Sequence, residues 1–191
     1  MNTIAVLDEL WHTYLVTIDC LQIARRSVKR KDIASIQGTE FMEAPQDAAM
    51  LQITACRKST EDYFVLAFWA SFERNLLDFL KIECRKIMGT QPSAFNQKLH
   101  RKIEDQLEYW RSDEILDIFK MLVDSNLIGQ AKKIKRYRDW VAHKNPNKPS
   151  PDNVTPQIAY DVLSNITKQL DKHTALSSTN IVSDTLVTKD N

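Results

Sequence analysis

The sequence predicts a single-domain bundle of α-helices. Apolar residues recur at intervals of three and four along several long stretches of the 191-residue chain, which is the spacing of amphipathic helices. The chain contains only 3 glycines, too few and too widely separated for a turn-rich β fold or a glycine-rich phosphate-binding loop. With 43% hydrophobic and 27% charged residues, it has the composition of an ordinary globular domain with one core.

Capping and helix-breaking residues predict where the first helices begin and end. A first amphipathic helix is predicted over residues 3–30, and residues 32–45 are expected to form a loop. A second helical stretch is predicted over residues 47–88 and ends before Gly89. Residues 59–62, Ser-Thr-Glu-Asp, have the residue types of a helix N-terminus, so we expect the helix to be renewed there.

Shorter helices are predicted in the second half of the chain. Ser93 and Ser112 have side chains suited to capping two of them, and Thr155 followed by Pro156 suits the start of the last one. The predicted ranges are residues 94–110, 113–123, 126–142 and 156–172. We therefore expect about five to seven helices in one domain.

Other bulk properties indicate where the domain ends and what surrounds it. We expect the domain to span residues 1–173 and a flexible, Ser/Thr-rich polar tail to span residues 174–191. Three cysteines that lie far apart favour a reduced, cytoplasmic setting. No apolar run is long enough to cross a bilayer, so we expect no membrane association. Because the net charge is only +1, any surface that binds a polyanion must be local.

An arginine and a histidine separated by four residues, Arg138 and His143, stand at the predicted end of the helix over residues 126–142. An arginine can hold phosphate oxygens bidentately, and a histidine can transfer protons near neutral pH. These are the minimum groups for cutting a phosphodiester that carries its own nucleophile, such as the 2′-hydroxyl of RNA. The pair follows the most basic short segment of the chain, which contains Lys132, Lys133, Lys135 and Arg136. Cations are also favoured in the last turn of any helix, so a purely structural explanation stays open.

Two charged residues fall on apolar helix faces. At about 100° per residue, Arg138 lies within the apolar stripe formed by Leu127, Ala131, Ile134, Val141 and Ala142, with Tyr137 on its flank. Glu73 lies among apolar positions of the second helical stretch. We expect Glu73 to approach Arg138 and orient its guanidinium, because an inward charge needs a partner. The alternative is that both side chains reach outward to solvent.

Residues 137–146, Tyr-Arg-Asp-Trp-Val-Ala-His-Lys-Asn-Pro, closely resemble the signature of the HEPN superfamily of helical, nucleic-acid-associated domains. In that signature an arginine is followed by Asn or Asp, an apolar stretch and Ala-His. Phe72-Glu73 on a long upstream helix, and residues 154–163 downstream, are also similar to family members, so the similarity extends over about residues 59–172. The chain has Lys144 where many members have glycine after the motif histidine.

The resemblance implies a HEPN-like bundle that dimerises and brings two Arg/His pairs together in one cleft. Catalytic members are metal-independent endoribonucleases, often toxins of toxin–antitoxin pairs or effectors of antiphage defence. The prediction is therefore an endoribonuclease whose partners are RNA, a second copy of the chain and a nucleotidyltransferase-like antitoxin protein. Other members are non-catalytic, so a helical module that binds RNA, a nucleotide or a protein stays the alternative, as does a structural domain whose basic helix docks on an acidic antitoxin.

Chemistry assigns a role to each candidate residue. Attack by a ribose 2′-oxygen needs a general base, a general acid and stabilisation of the charged phosphorane, but no metal or cofactor. Because each subunit offers one histidine at the site, two copies of His143 are required, and Arg138 is expected to bind the non-bridging oxygens. Asp139 is expected to orient His143 or the partner arginine, or to be merely exposed. The candidates for following the RNA backbone are Lys132, Lys135, Arg136, Lys144 and Asn145, and the alternative for each is an ordinary solvated surface residue.

Overall fold

The computed structural model describes residues 3–87, 93–107, 109–143 and 149–186, and every regular element in them is a helix. The all-α prediction is thus confirmed. The described helices are α1 (Thr3–Arg30), α2 (Ile33–Ile36), α3 (Gln46–Ile87), α4 (Ala94–Leu107), α5 (Ser112–Phe119), α6 (Ser125–His143) and α7 (Pro156–Leu186). None of them has an apolar stretch of the length and purity that crossing a bilayer requires.

Several predicted boundaries are close to those observed. Ser93 accepts a hydrogen bond from the backbone N–H of Asn96 (3.2 Å), and Thr155 accepts one from Ile158 (3.3 Å), so both predicted N-caps are confirmed. The short helix α2 lies inside the predicted loop over residues 32–45. The capping role expected for Ser112 is wrong, because α5 already includes Ser112 and its hydroxyl donates to a side chain of α3.

The structure departs from the prediction at residues 59–62 and at the end of the last helix. Helix α3 continues without a break through residues 59–62, because Asp62 is buried against α6 instead of capping a new helix. Helix α7 runs to Leu186, so the helix end expected near residue 172 is wrong. The flexibility expected of residues 174–191 stays a prediction, and residues 187–191 lie outside the described part of the chain.

Helix α3 is the central element of the bundle and packs against α1, α4, α6 and α7. Its buried aromatic side chains Phe68, Trp69 and Phe72 fill the main core together with Leu116 of α5 and Ile134 of α6. Burying a side chain of this size stabilises the folded state by roughly 1.5–3 kcal/mol before entropy is counted. The position of α6 is therefore determined by the packing of its apolar face on α3 and α7.

The far end of α1 and the start of α3 form a hairpin with a small core of their own. Val28 of α1 packs on Ala49 and Ile53 of α3 in a cluster separate from the main one. Helix α1 ends at Arg30, and the next residue, Lys31, has the left-handed backbone conformation (φ 54°) common after a helix C-terminus. This hairpin carries a basic surface discussed below.

Candidate active site

Helix α6 carries the candidate residues Arg138 and His143, and its apolar face is packed in the core. The apolar face predicted from the sequence needs one correction: Ile128 and Tyr137 are buried and central to it, whereas Ala142 is exposed. The buried residues of α6 are Ile128, Ala131, Ile134, Tyr137 and Val141. Trp140 is partly buried against the same core, with its ring 5.8 Å from that of Tyr137. The end of α6 is thus firmly attached to the bundle.

A buried polar network that the sequence analysis missed joins α6 to α3. The Tyr137 hydroxyl donates to Asp62 Oδ1 (2.7 Å), and Asp62 is only 2% exposed. Lys58 Nζ donates to the Tyr137 oxygen (2.9 Å) and lies 3.1 Å from Asp62. Burial raises the pKa of the Tyr137 phenol above its usual value, and the hydrogen bond to Asp62 adds to this. The sequence contains one signal for this network, an aspartate one helical turn after Lys58 on an otherwise apolar face.

Arg138 contacts Glu73 across the α3–α6 interface, which confirms the expected approach and shows that the alternative of two outward-reaching side chains is wrong. Arg138 Nη2 lies 3.2 Å from Glu73 Oε2 and 3.4 Å from Oε1. The guanidinium also lies over the ring of Trp69, 5.5 Å from its centroid, an arrangement that favours a cation. With 25% of its side chain exposed, Arg138 is anchored inside the bundle but can still be reached from solvent.

Glu73 and Arg138 belong to a longer chain of polar contacts. Ser112 of α5 donates a hydrogen bond to Glu73, and Arg138 Nη1 lies 3.0 Å from Asp139 Oδ1. Asp139 Oδ2 in turn lies 3.1 Å from Lys135 Nζ. Both terminal nitrogens of the Arg138 guanidinium are therefore engaged by carboxylates. A phosphate that approaches the guanidinium meets both carboxylates, and Asp139, with 38% of its side chain exposed, is the freer of the two to move away.

His143 is the last residue of α6 and is exposed. The role expected for Asp139 as its orienting group needs correction, because the Asp139 carboxylate is occupied by Arg138 and Lys135 of the same helix. His143 stands one turn beyond Asp139, at the end of the helix where the peptide dipoles attract cations. The structure thus places a positioned arginine and an accessible histidine at the same end of one rigid helix.

The basic segment of α6 is largely neutralised within the chain. Lys132 contacts Asp117 (2.7 Å), and Arg136 contacts Asp152 through two nitrogens (3.1 and 3.3 Å). Lys135 contacts Asp113 (3.2 Å) as well as Asp139, and although burial opposes its charge, these hydrogen bonds raise its pKa. The predicted backbone-binding residues Lys144 and Asn145 lie outside the described residues. An RNA strand at α6 must therefore compete with carboxylates already in place.

Contacts with lysines also change the pKa of one carboxylate, that of Asp117. Hydrogen bonds from Lys120 and Lys132 lower the pKa of Asp117 below its usual value, so this exposed carboxylate stays charged in mildly acidic solution. Among the described residues, no group of three or more His, Cys, Asp or Glu side chains is placed to hold a metal ion.

No family model matches the chain, and no curated protein or solved structure matches it significantly. The resemblance to the HEPN signature rests on the motif residues themselves. The Arg138/His143 site is therefore the feature of the molecule that points to a function.

Proposed function

We propose that this protein is a metal-independent endoribonuclease of the HEPN type that acts as a homodimer. The observation that carries the proposal is the placement of Arg138. Its guanidinium forms an ion pair with Glu73 and lies over the Trp69 ring. Arg138 is in the last turns of the same helix that ends at exposed His143. Holding an arginine in a partly buried position is costly for the fold, and an anionic substrate is a physical reason to keep it there.

The proposed reaction is an internal transesterification. One His143 takes the proton of a ribose 2′-hydroxyl, and the 2′-oxygen attacks the adjacent phosphorus. The His143 of the second subunit gives a proton to the departing 5′-oxygen as the P–O5′ bond breaks. Arg138 donates N–H groups to the non-bridging oxygens while negative charge builds on the phosphorane. The products are a 2′,3′-cyclic phosphate and a 5′-hydroxyl, and each subunit supplies one of the two histidines.

Glu73 and Asp139 have separate roles in this proposal. Glu73, held by Ser112, keeps the guanidinium oriented by a contact from another helix. Asp139 neutralises Arg138 while no substrate is bound and turns toward solvent when a phosphate arrives. An Asp139→Asn variant should therefore bind a nucleotide phosphate more tightly than the wild type, whereas Glu73→Gln should bind it more loosely.

A second candidate function is a non-catalytic module that binds RNA, a nucleotide or a protein. The intramolecular pairing of Lys132, Lys135 and Arg136 favours the protein-binding form of this alternative, because a site built for a polyanion has little need of so many internal carboxylates. Under this alternative Arg138 serves as a grip on Glu73 and His143 is an ordinary surface residue. A role as the toxin of an antitoxin pair or as an antiphage effector in the cytoplasm belongs to the first candidate only.

The deciding experiment measures cleavage of a mixed RNA by the purified protein in the presence of a chelator. His143→Ala and Arg138→Ala should each lower the cleavage rate by about 10²–10⁴-fold, the usual contribution of a general acid–base group or a charge-stabilising donor. His12→Ala and Arg101→Ala, at exposed positions on α1 and α4, are matched controls that should cleave at the wild-type rate. The fragments should end in cyclic phosphates, and DNA of the same sequence should stay intact.

Three outcomes would reject the nuclease. They are intact RNA with the wild-type dimer, equal cleavage by His143→Ala, and cleavage of DNA, which lacks the 2′-nucleophile. If the protein proved inert but bound RNA in an Arg138-dependent manner, the module would be the correct candidate. Sedimentation of the wild type tests the dimer separately, because a monomer can supply only one His143 to the reaction.

A further inference from the structure

The strongest unassigned feature of the molecule is a basic surface at the end of α1. It consists of Arg25, Arg26, Lys29, Arg30 and Lys31, all exposed, and we call it the α1 basic face. No acidic residue occurs between Cys20 and Lys31, so the positive charge of residues 25–31 is uninterrupted by negative charge. In a chain with a net charge of +1, this is a pronounced local concentration of charge.

The cations of this face lie close enough together to repel one another. Arg25 and Lys29 are four residues apart, as are Arg26 and Arg30, so each pair lies on neighbouring turns about 5–6 Å apart at the β-carbons. Like charges at this spacing destabilise a helix by about 0.2–0.5 kcal/mol per pair. The helix dipole offsets part of this cost at a C-terminus. An array of anions at similar spacing would remove the rest of the repulsion between these cations.

The α1 basic face differs from the basic segment of α6 in one decisive respect. In α6, Lys132, Lys135 and Arg136 each contact a carboxylate of the same chain. Among the described residues, no ion pair joins any of the five cations of the α1 basic face to a carboxylate. A polyanion can therefore bind here without breaking an existing ion pair.

A cleft lies beside the α1 basic face and shares residues with it. The cleft has a volume of about 430 Å³ and lies between the end of α1 and the start of α3. Its lining residues are Arg25, Arg26, Lys29, Gln46, Asp47 and Met50. Gln46 Nε2 donates to the backbone carbonyl of Lys29 (3.2 Å), which fixes one wall against the other. The cleft combines cations for a phosphate with an amide and a thioether for a sugar or a base, and Asp47 adds a single carboxylate to three cations.

We propose that the α1 basic face and its cleft bind the sugar–phosphate backbone of single-stranded RNA. An anionic membrane fits less well, because a helix that lies in a bilayer surface needs a free apolar face. Val28, the apolar residue within the α1 basic face, is instead buried against Ala49 and Ile53 of α3. The proposal deepens the proposed function by naming where the substrate is held outside the α6 site, and it rests on that function for the choice of RNA.

The test uses the full chain and a labelled single-stranded oligonucleotide with 2′-O-methyl groups, which can bind but cannot be cleaved. The variant is Arg26→Gln/Lys29→Gln/Arg30→Gln. The control is Lys98→Gln/Arg101→Gln/Lys102→Gln, which removes the same charge from exposed positions on α4. Affinity is measured over a range of salt concentrations, and circular dichroism confirms that both variants are folded.

The α1 variant should bind about 10–100-fold more weakly near physiological salt, and the slope of log K against log salt should fall by about 2, since each single-strand phosphate contact contributes about 0.7. The α4 variant should bind within about twofold of the wild type, apart from the small effect of net charge. A variant with Arg26→Lys and Arg30→Lys should retain the wild-type salt slope, because its charge is unchanged.

Equal losses in the α1 and α4 variants, or no loss in either, would overturn the proposal. So would wild-type protein that binds vesicles of anionic lipid but not the oligonucleotide. The result is independent of the nuclease assay: binding that depends on α1 in a protein that cleaves nothing would reject the proposed function alone. Cleavage that depends on His143, with binding unaffected by the α1 variant, would reject the α1 basic face alone.

Discussion

The buried contact between Tyr137 and Asp62 allows the most direct physical test of how α6 is held. Tyr137→Phe removes one hydroxyl and leaves the ring in place. The hydroxyl donates to a carboxylate that is 2% exposed, at 2.7 Å. A hydrogen bond to a charged group contributes about 1.5–3 kcal/mol, and burial of the carboxylate favours the upper part of that range. Lys58 still contacts Asp62 but is mostly exposed, so it compensates only in part.

We therefore expect Tyr137→Phe to lower the free energy of unfolding by about 2 kcal/mol. In a domain of this size such a loss lowers the melting temperature by roughly 4–8 °C. The measurement is urea denaturation followed by circular dichroism, with the slope m compared between variants. An unchanged m shows that the effect lies in stability and not in a change of the unfolded state.

Tyr63→Phe is the matched control, because Tyr63 belongs to α3 but is 63% exposed. It should alter the free energy of unfolding by less than about 0.5 kcal/mol. If Tyr137→Phe lost no more than this control, the reasoning would be wrong, since the buried carboxylate would then be satisfied without the phenol. A double variant with Asp62→Asn separates the two contributions: its loss should be smaller than the sum of the two single losses.

Three further predictions concern pH and packing. Burial raises the pKa of Tyr137 above 10.0, so the contribution of its hydroxyl to the free energy of unfolding is complete below pH 10.0 and is lost as pH rises through the folded-state pKa. The difference in the free energy of unfolding between wild type and Tyr137→Phe should therefore narrow above pH 10.0. A constant difference would contradict this. Glu73→Gln should lower the free energy of unfolding by about 1 kcal/mol, because Arg138 loses an ionic partner whose side chain is 31% exposed, and the loss should shrink in high salt when measured by urea denaturation. Trp11→Ala should cost about 3 kcal/mol in the same assay, since Trp11 stacks on Tyr160 at 4.9 Å and joins α1 to α7; a loss under 1 kcal/mol would show that this contact is dispensable.

Much of the secondary structure was predictable because it depends on local patterns. Helices α1 and α6 begin and end within a residue or two of their predicted limits, since apolar periodicity and flanking polar residues specify them. The failures have a tertiary cause. The residue types at 59–62 indicate a helix N-terminus, but Asp62 makes its contacts with Tyr137 on α6, so α3 continues. A local pattern does not show which distant side chain competes for a carboxylate.

In the candidate site, too, local features were predictable from the sequence and contacts between helices were not. The two inward charges were visible as exceptions to an apolar stripe, and their pairing follows from the cost of burying a lone charge. The sequence did not show that Asp139 faces Arg138 and not His143, because several rotamers of adjacent helix residues are compatible with the same spacing. Nor did it show that Ser112 serves Glu73 from another helix, since that contact spans 39 positions.

By itself, the sequence determined the helical class, the faces that pack together and the position of Arg138 and His143 at a helix end. Periodicity, capping and the preference of charges for partners act over a few residues, so they can be read along the chain. Only the tertiary structure decided which cations stay available to a ligand. Lys132 and Arg136 are paired with aspartates from other segments, whereas among the described residues no cation of the α1 basic face forms an ion pair with a carboxylate. Ion pairing depends on distances between side chains that are remote in sequence, and packing alone sets those distances.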